Sequence, residues 1–520
     1  MEILILLFTI FYAILAWRKL AWATAFVIAF LPVYQIRFAL FSLPLTLLEV
    51  MIFVLFVAWF VKSVKAKELP LLNYLSFPRK RESRNNIKSY PFWKEIIAVL
   101  VIAFISMLVA GASNTSLGIL KAYFIEPIMF FIVFVNVLAS DVILRSEERR
   151  PNNLLSSLIR FFTPSADAPV VQNDKTTHTL SLMFGALAFS AFIISAVAIY
   201  QKITGQLIPM EFANSGRVTG VFAYPNAVGL YLGPIVMLMV GWLLFIIENN
   251  KKQKTKNKQI INYKSQILRI LFFCFFVFLP IIAIYFARSE GALIGIIVAG
   301  IIFGLLYNKW SRRTVIAILI LGAVALSINS GIRQDVYQKV TLQDTDGQIR
   351  KQLWRETWQM LTDNPRNFIF GAGLANYQQA IAPYHESGIY IRNDDPEFDK
   401  MIKISLEYQQ QVWQPLEIYL YPHNFLLNFW SELGLAGALL FMWVIVKFLI
   451  LDFRLMITDK KNRAMAIGLL GAMMVIVVHG LVDAPYFKND LAVLFWVLVA
   501  MMGIISPQIN KSTTNNTNKK

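Results

Sequence analysis

Cysteine, histidine and charged side chains are all scarce in this sequence of 520 residues. The single cysteine, Cys274, excludes an intramolecular disulfide. Charged residues form 15% of the chain against 57% for hydrophobic residues, which disfavours a soluble multidomain protein. The sequence also lacks a P-loop and a dinucleotide-binding glycine fingerprint, and this disfavours an ATP-driven pump.

Apolar runs of about 20 residues, the length that crosses a bilayer, recur along the chain. They predict an all-α polytopic membrane protein with about 12 to 13 transmembrane helices. The first run lacks a basic flank and a cleavage signal, so we interpret it as a span and not as a removable signal peptide. The predicted spans are residues 2–17, 20–40, 44–61, 95–112, 117–139, 180–201, 220–247, 266–287, 289–307, 314–330, 423–450, 464–486 and 489–506.

The formal net charge of +18 would fit a nucleic-acid partner, but the basic residues lie in short segments between spans. Cytoplasmic connections of membrane proteins are enriched in Lys and Arg, so we interpret the charge as a topology signal and expect no nucleic acid. The basic segments occupy alternate connections: Arg18 with Lys19, and residues 62–94, 145–175, 251–269, 309–313 and 454–463.

With the basic connections placed in the cytoplasm, one large loop faces outward. The segments 63–94 and 140–179 predict flexible cytoplasmic connections and carry no motif. The predicted parts are N-terminal helices (1–330), a large extracytoplasmic loop (331–422), C-terminal helices (423–506) and a disordered cytoplasmic tail (507–520).

The loop at residues 331–422 is too long and too aromatic to be an idle connection, and we expect it to fold. Ile349, Leu353, Thr357 and Leu361 recur at about four-residue spacing. This spacing predicts an amphipathic helix that lies in the membrane interface.

Four arginines fall near the outward ends of spans: Arg37, Arg217, Arg288 and Arg350. Guanidinium groups keep their charge and bind phosphate oxygens in pairs, so a ring of them would fit a lipid-linked diphosphate. The alternative is that each arginine snorkels from a span end to the membrane surface.

His423 stands where the large loop re-enters the membrane, and a neutral imidazole there could accept a proton from an attacking hydroxyl. The alternative is a histidine with only structural hydrogen bonds at the start of a helix. His479 and Asp483 are four residues apart, so they share a helix face and could orient one another, or could form a structural contact.

The acidic turns at residues 344–347 and 394–397 do not complete a calcium-binding loop. Solvated turns explain them better than metal ligands do. We therefore expect no metal and no other cofactor.

An ordered series of motifs over about residues 210–490 resembles the O-antigen ligase and O-antigen polymerase superfamily of bacterial envelope glycosyltransferases. The series consists of Arg217 to Phe222, Pro225 with Asn226, Ser289-Glu290-Gly291, Arg350 with Trp354, Asn364-Pro365, Gly371 to Tyr377, His423-Asn424 and Glu432-Leu433-Gly434.

The resemblance implies a GT-C-like fold in the bacterial inner membrane with the active site outward. It implies transfer of a glycan from undecaprenyl diphosphate to an acceptor, as in lipopolysaccharide biosynthesis, by an inverting enzyme that needs no metal. It assigns His423 as the base and Arg217 and Arg350 to the donor diphosphate. The family usually has Ser-Arg-Gly where this chain has Ser289-Glu290-Gly291, and Arg288 replaces that arginine only if the span end is unwound.

Several functions stay open at this point. Ligase, repeat-unit polymerase and protein O-oligosaccharyltransferase share the donor and differ in acceptor, which is a glycan, a lipid or a protein. A transporter or flippase for lipid-linked or anionic solutes is the alternative of another class, and a scaffold protein is more distant. Supporting roles are expected for Asn226, Asn424, Glu432, His479 and Asp483.

Overall fold

The computed structural model describes residues 2–40, 43–65, 92–139, 174–256, 263–392, 395–460 and 462–506. Helices dominate these residues, and the few strands are short, so the all-α polytopic fold class is confirmed. The predicted tail at residues 507–520 and most of the segments 63–94 and 140–179 lie outside the described residues.

The secondary-structure elements fall into three sets along the chain. The first set is α1 (Glu2–Arg18), α2 (Leu20–Ala29), β1 (Arg37–Leu40), β2 (Leu43–Thr46), α3 (Leu47–Lys65), α4 (Trp93–Val109), α5 (Asn114–Ile119), α6 (Glu126–Ala139), α7 (Asp174–Thr204), α8 (Met210–Ala213), α9 (Pro225–Lys256), α10 (Tyr263–Phe286), α11 (Glu290–Tyr307) and α12 (Lys309–Ile328). The second set forms the large loop: α13 (Ser330–Val340), α14 (Thr345–Thr362), α15 (Pro365–Phe370), α16 (Tyr377–Ile381), β3 (Gly388–Tyr390), α17 (Phe398–Ile404), α18 (Leu406–Val412) and β4 (Trp413–Pro415). The third set is α19 (Phe425–Thr458), α20 (Arg463–Gly480) and α21 (Asn489–Ile505).

Every predicted span overlaps with a helix in the described residues. Eight of these helices are long and apolar enough to cross a membrane, and α4 together with four shorter apolar helices covers the other predicted spans. A π-helical segment, Leu120–Ile125, joins α5 to α6 within one of them.

The second predicted span, residues 20–40, is shorter than expected. Helix α2 ends at Ala29, and a 3₁₀ turn with Pro32 near its start follows. Proline lacks an N–H donor and disfavours helical backbone at the preceding residue, so the helix cannot continue. The chain then forms the β1–β2 hairpin, in which Arg37 pairs with Thr46.

The centre of the bundle is a close crossing of α9 and α20. A Cβ atom added to Gly241 would lie 2.5 Å from the Cα of Gly468, so no larger residue fits at this point. Small residues of this kind let membrane helices approach closely and gain van der Waals contact. Helix α21 is buried along almost its whole length beside this crossing, whereas α12 buries no side chain.

We define the loop end of the bundle as the end at which α9, α11, α19 and α21 begin and α20 terminates. Hydrogen bonds join these termini, for example Asn226 to Asp483 and Asn424 to the carbonyl of Leu481. The large loop is attached at this end, because α12 leads into it and α19 leads out of it.

Helix α14 in the large loop was predicted to lie in the membrane interface, and this prediction is wrong. Leu353, Thr357 and Leu361 are buried. They pack within the loop, where Met360 and Leu361 share a small core with Tyr377. The four-residue spacing marks an apolar face, but only the tertiary structure decides what covers it.

The Gly371 to Gly373 turn docks into a break in α19. Gly434 has φ of 73°, which interrupts the helix and leaves carbonyls without their usual partners. The Ala372 N–H donates to the carbonyl of Ser431 at 2.7 Å, and the Ser106 hydroxyl donates to the carbonyl of Glu432. The turn therefore satisfies backbone groups that the membrane could not.

Candidate active site

His423 lies at the loop end, one residue before the cap of α19. Its backbone has φ of 48°, a left-handed conformation that costs energy for a residue with a Cβ. Asn424 caps the helix, because its side chain accepts hydrogen bonds from the backbone of Leu426 and Leu427. Asn424 therefore fixes the position of His423 and has a structural role.

Asp483 is the partner of His423. Its Oδ1 lies 3.3 Å from His423 Nδ1, and it comes from the turn between α20 and α21, 60 residues along the chain. The Nε2 atom of His423 has no hydrogen-bond partner among the described residues, and the side chain is 31% exposed. With Nδ1 donating to the carboxylate, Nε2 presents a free lone pair.

Asp483 is buried but stays charged. Burial by itself would raise the pKa of Asp483, yet the hydrogen bond from His423, the nearby His423 and His479 rings and the N–H of Ala484 hold it well below its ordinary value. The Ala484 N–H donates to Oδ1 at 2.8 Å. A permanent carboxylate is the partner that would stabilise an imidazolium at His423.

His479 is a weaker neighbour than the sequence predicted. Its Nε2 lies 3.9 Å from Asp483 Oδ2, beyond hydrogen-bond distance, and the side chain is 3% exposed. It packs against α11, where a Cβ at Gly291 would come within 2.5 Å of the imidazole. The glycine of the Ser289-Glu290-Gly291 motif therefore makes room for this ring.

Asn226 links Asp483 to Arg217. Its Nδ2 donates to Asp483 Oδ2 at 3.1 Å, and its Oδ1 accepts from Arg217 Nη2 at 2.9 Å. Arg217 also donates from Nε to the carbonyl of Ala287 and from Nη2 to that of Arg288. Arg217 thus satisfies carbonyls beyond the end of α10 while it holds the amide that positions Asp483.

Three of the four predicted arginines influence one another. Partial burial lowers the pKa of Arg217, and the charges of Arg288 and Arg350 lower it further, while Asp346 and Glu290 oppose them. Like charges gathered at one place favour the binding of an anion.

Arg288 and Arg350 keep their guanidinium groups available. Neither side chain forms a hydrogen bond or an ion pair with the described residues. Arg288 has φ of 51° and lies outside both α10 and α11, so the end of the span is unwound. This is the condition under which Arg288 can replace the arginine of the family motif. Glu290 instead forms an ion pair with Lys339.

Arg37 and Glu432 lie apart from this group. Arg37 on β1 acts electrostatically on Tyr34 and Tyr123 and does not contribute to the cluster around Arg217. Glu432 is 1% exposed and accepts a 2.7 Å hydrogen bond from the backbone N–H of Ala375. Its contacts are structural, since they hold the glycine turn of the loop against α19.

Sequence reasoning missed Gln201 on α7. Its Oε1 accepts from the N–H groups of Thr219 and Gly220, and its Nε2 donates to the carbonyl of Gly220. This buried amide clamps the turn that follows Arg217. A glutamine near a helix end has no motif around it, so nothing in the sequence marks this role.

The matched family region covers part of this site. Residues 275–442 match the family model described as O-antigen ligase, and no match was found among the curated proteins. The match includes Arg288, Arg350 and His423, whereas Arg217 and Asp483 lie outside it. Among the described residues, no three His, Cys, Asp or Glu side chains are grouped to hold a metal ion.

Family and fold support the same broad role. The O-antigen ligase family belongs to the bacterial inner membrane, and its members work with lipid-linked glycans and acceptors. The multi-pass helical fold agrees with that location. The similarity of residues 275–442 to the O-antigen ligase family supports a membrane glycosyltransferase-like role in polysaccharide biosynthesis.

Proposed function

We propose that this protein transfers a glycan from an undecaprenyl diphosphate carrier to an acceptor hydroxyl at the outer face of the bacterial cytoplasmic membrane. The observation that carries the proposal is the His423–Asp483 pair, whose free Nε2 lies at the same end of the bundle as three neighbouring arginines. A base beside an anion site is the arrangement that glycosyl transfer from a diphosphate needs.

His423 is the proposed general base. Its Nε2 takes the proton of the acceptor hydroxyl while the hydroxyl oxygen attacks the anomeric carbon of the donor. Asp483 holds Nδ1–H and stabilises the imidazolium that forms. A single displacement of this kind inverts the configuration at the anomeric carbon.

Arg350 and Arg288, with Arg217, are the proposed diphosphate ligands. The bond from the anomeric carbon to the diphosphate oxygen breaks, and its electron pair leaves with the lipid diphosphate. Guanidinium groups neutralise this growing charge in the transition state, where the charge is largest. Side chains supply all of these roles, so the proposed reaction uses no metal and no cofactor.

The proposal is tested with purified protein, an undecaprenyl diphosphate-linked oligosaccharide and candidate acceptors in detergent, with no nucleotide added. The expected product is an acceptor that carries the glycan through an inverted linkage, detected by mass spectrometry and NMR. Translocation of intact donor across liposomes without any transfer would overturn the proposal in favour of a transporter.

The acceptor decides the subclass, and we propose the ligase reaction because the matched family carries that description. A lipopolysaccharide-type glycolipid acceptor, a second donor molecule and an acceptor protein are compared in the same assay. Preferred transfer to the glycolipid supports a ligase, whereas chain extension of the donor indicates a repeat-unit polymerase.

A further inference from the structure

A second cluster of residues, which the sequence did not predict, lies at the loop end beside the His423–Asp483 pair. It is a cluster of aromatic rings around one lysine, and its residues come from five different parts of the chain. We call it the lysine chamber; its residues are Tyr34, Tyr123, Phe222, Tyr224, Tyr421 and Lys488.

Lys488 is the cation of the chamber and lies just before α21. Its Nζ is 4.1 Å from the centre of the Tyr224 ring, 5.5 Å from that of Phe222 and 5.9 Å from that of Tyr34. Its Nζ forms no hydrogen bond and no ion pair with the described residues. An ammonium surrounded by ring faces is attracted to them but keeps its hydrogen-bond donors unused.

The acids near Lys488 act from a distance. Burial lowers the pKa of Lys488, and Asp490 and Asp483 oppose that effect. Neither carboxylate comes within ion-pair distance of Nζ. The lysine therefore has long-range compensation for its charge but no direct partner, and an anion that enters the chamber would supply one.

Two phenol hydroxyls in the chamber are also unused. Tyr34 and Tyr224 donate no hydrogen bond to the described residues, and neither hydroxyl is among the fully buried atoms that lack a partner. Their oxygens therefore keep some accessible surface. Tyr123 lies on the π-helical segment, a feature that often marks a functional site in a helix.

The chamber adjoins the proposed base. Tyr421 is two residues before His423, and its hydroxyl donates to the carbonyl of Phe487 at 3.3 Å. Asp483 acts electrostatically on Lys488 and hydrogen-bonds His423, whereas no arginine of the Arg217 cluster acts on Lys488. The lysine and the arginines are thus two separate cationic groups around one carboxylate.

We propose that the lysine chamber is the acceptor subsite and takes a sugar ring that carries an anionic group, either a carboxylate or a phosphate. Ring faces pack against the apolar face of the sugar, the free phenol hydroxyls bond its hydroxyl groups, and Lys488 pairs with the anion. This inference rests on the proposed function, because it assumes that the arginines take the donor diphosphate and leave the chamber to the acceptor.

Binding is measured by saturation-transfer NMR on the purified protein with three probes: methyl β-D-glucoside, methyl β-D-glucuronide and glucose 6-phosphate. The two anionic probes are expected to bind more tightly than the neutral one. The Lys488→Met variant should weaken their binding about 10-fold to 100-fold, the usual effect of losing a charged hydrogen bond. Undecaprenyl diphosphate should bind wild type and variant equally.

The matched control is Lys94→Met. Lys94 also lies over an aromatic ring, Trp93 at 5.6 Å, but it is at the opposite end of the bundle and should leave all three probes unaffected. If Lys488→Met does not fold, Tyr224→Leu removes the nearest ring, keeps the lysine and should also weaken the anionic probes. Equal binding of anionic and neutral probes, or unchanged binding in both variants, would overturn the inference.

This test separates the inference from the proposed function. Probe binding requires no turnover, so a protein that transfers no glycan can still bind the anionic probes through Lys488. Loss of undecaprenyl diphosphate binding in Lys488→Met would place the diphosphate in the chamber and overturn the acceptor assignment.

Discussion

Two histidine–carboxylate pairs in the described part of this protein lie within hydrogen-bond distance, and their nitrogen–oxygen distances are nearly equal. His423 Nδ1 lies 3.3 Å from Asp483, and His385 Nδ1 lies 3.2 Å from Glu356 in the large loop. The two pairs differ at the second ring nitrogen of the histidine. His385 Nε2 lies 3.3 Å from the carbonyl of Leu416, whereas His423 Nε2 has no partner in the described residues.

The surroundings of the two pairs also distinguish His423 from His385. Glu356 also accepts from Gln352 and from the N–H of Glu386, so that pair completes a buried network that holds the loop together. His423 is held in left-handed backbone and is more exposed than His385, 31% against 13% of the side chain. Distance alone therefore identifies a pair, and the free nitrogen identifies the candidate base.

The largest expected effect comes from truncation of His423, with His385 as the comparison. His423→Ala should lower the transfer rate about 100-fold to 10,000-fold, the usual contribution of a general base, while the protein stays inserted and folded. His385→Ala should retain the transfer rate per folded molecule. Initial rates of glycan transfer, with donor and acceptor saturating, measure both. Equal losses in the two variants would remove the distinction between the pairs.

Asp483 should show the next largest effect, because it positions His423. Asp483→Asn keeps the shape but removes the charge that stabilises the imidazolium, so a loss of about 100-fold or more is expected. Asp483→Glu should restore part of the rate. A purely structural role for Asp483 would lower the amount of folded protein without lowering the transfer rate per folded molecule.

The lowered pKa of Asp483 also predicts how the free energy of unfolding changes with pH. The carboxylate stabilises the folded protein above its unfolded-state pKa of about 3.9, and this contribution is lost as pH falls through the lower folded-state pKa. Thermal unfolding at pH 7 and near pH 3, compared between wild type and Asp483→Asn, measures it. The stability difference should be larger at pH 7.

Arg350→Lys should have a smaller effect, about 10-fold on the KM for donor. Lysine keeps the charge but loses the planar pair of donors that fits phosphate oxygens. Arg217→Lys is the comparison, because Arg217 also binds carbonyls at the end of α10 and should lose thermal stability as well. A normal KM for donor in Arg350→Lys would remove this arginine from the diphosphate site.

The smallest expected effect on transfer belongs to the loop pair. His385→Ala removes one partner of the buried Glu356 carboxylate and should cost about 1 to 3 kcal/mol of folding free energy. Thermal unfolding of the purified variant measures this cost. Unchanged stability would show that the loop network does not depend on His385.

Much of the fold was predictable because membrane spans are local. Each span needs its own apolar run, so all the predicted spans have counterparts among the helices. One error is the length of the second span, because Pro32 ends helix α2 early. The other is the position of α14, because residues far along the chain cover its apolar face. Both depend on contacts that hydrophobicity does not report.

The residues of the site were easier to predict than the contacts between them. His423, Asp483 and three arginines were named in advance and do lie at one end of the bundle. The pairing of Asp483 with His423, and not with His479 four residues away, depends on where the turn after α20 meets the start of α19. Helical spacing cannot report a contact between residues 60 positions apart.

The sequence by itself determined a helical membrane protein, because apolar runs of bilayer length have few other stable states. It also determined the chemical types available at the loop end, namely imidazole, carboxylate and guanidinium. Tertiary structure alone decided which of the two carboxylate-bonded histidines keeps its second nitrogen free, which arginine caps a helix, and that Lys488 faces aromatic rings without a carboxylate partner. Those outcomes depend on helix packing across the bundle, which brings together groups that the sequence holds far apart.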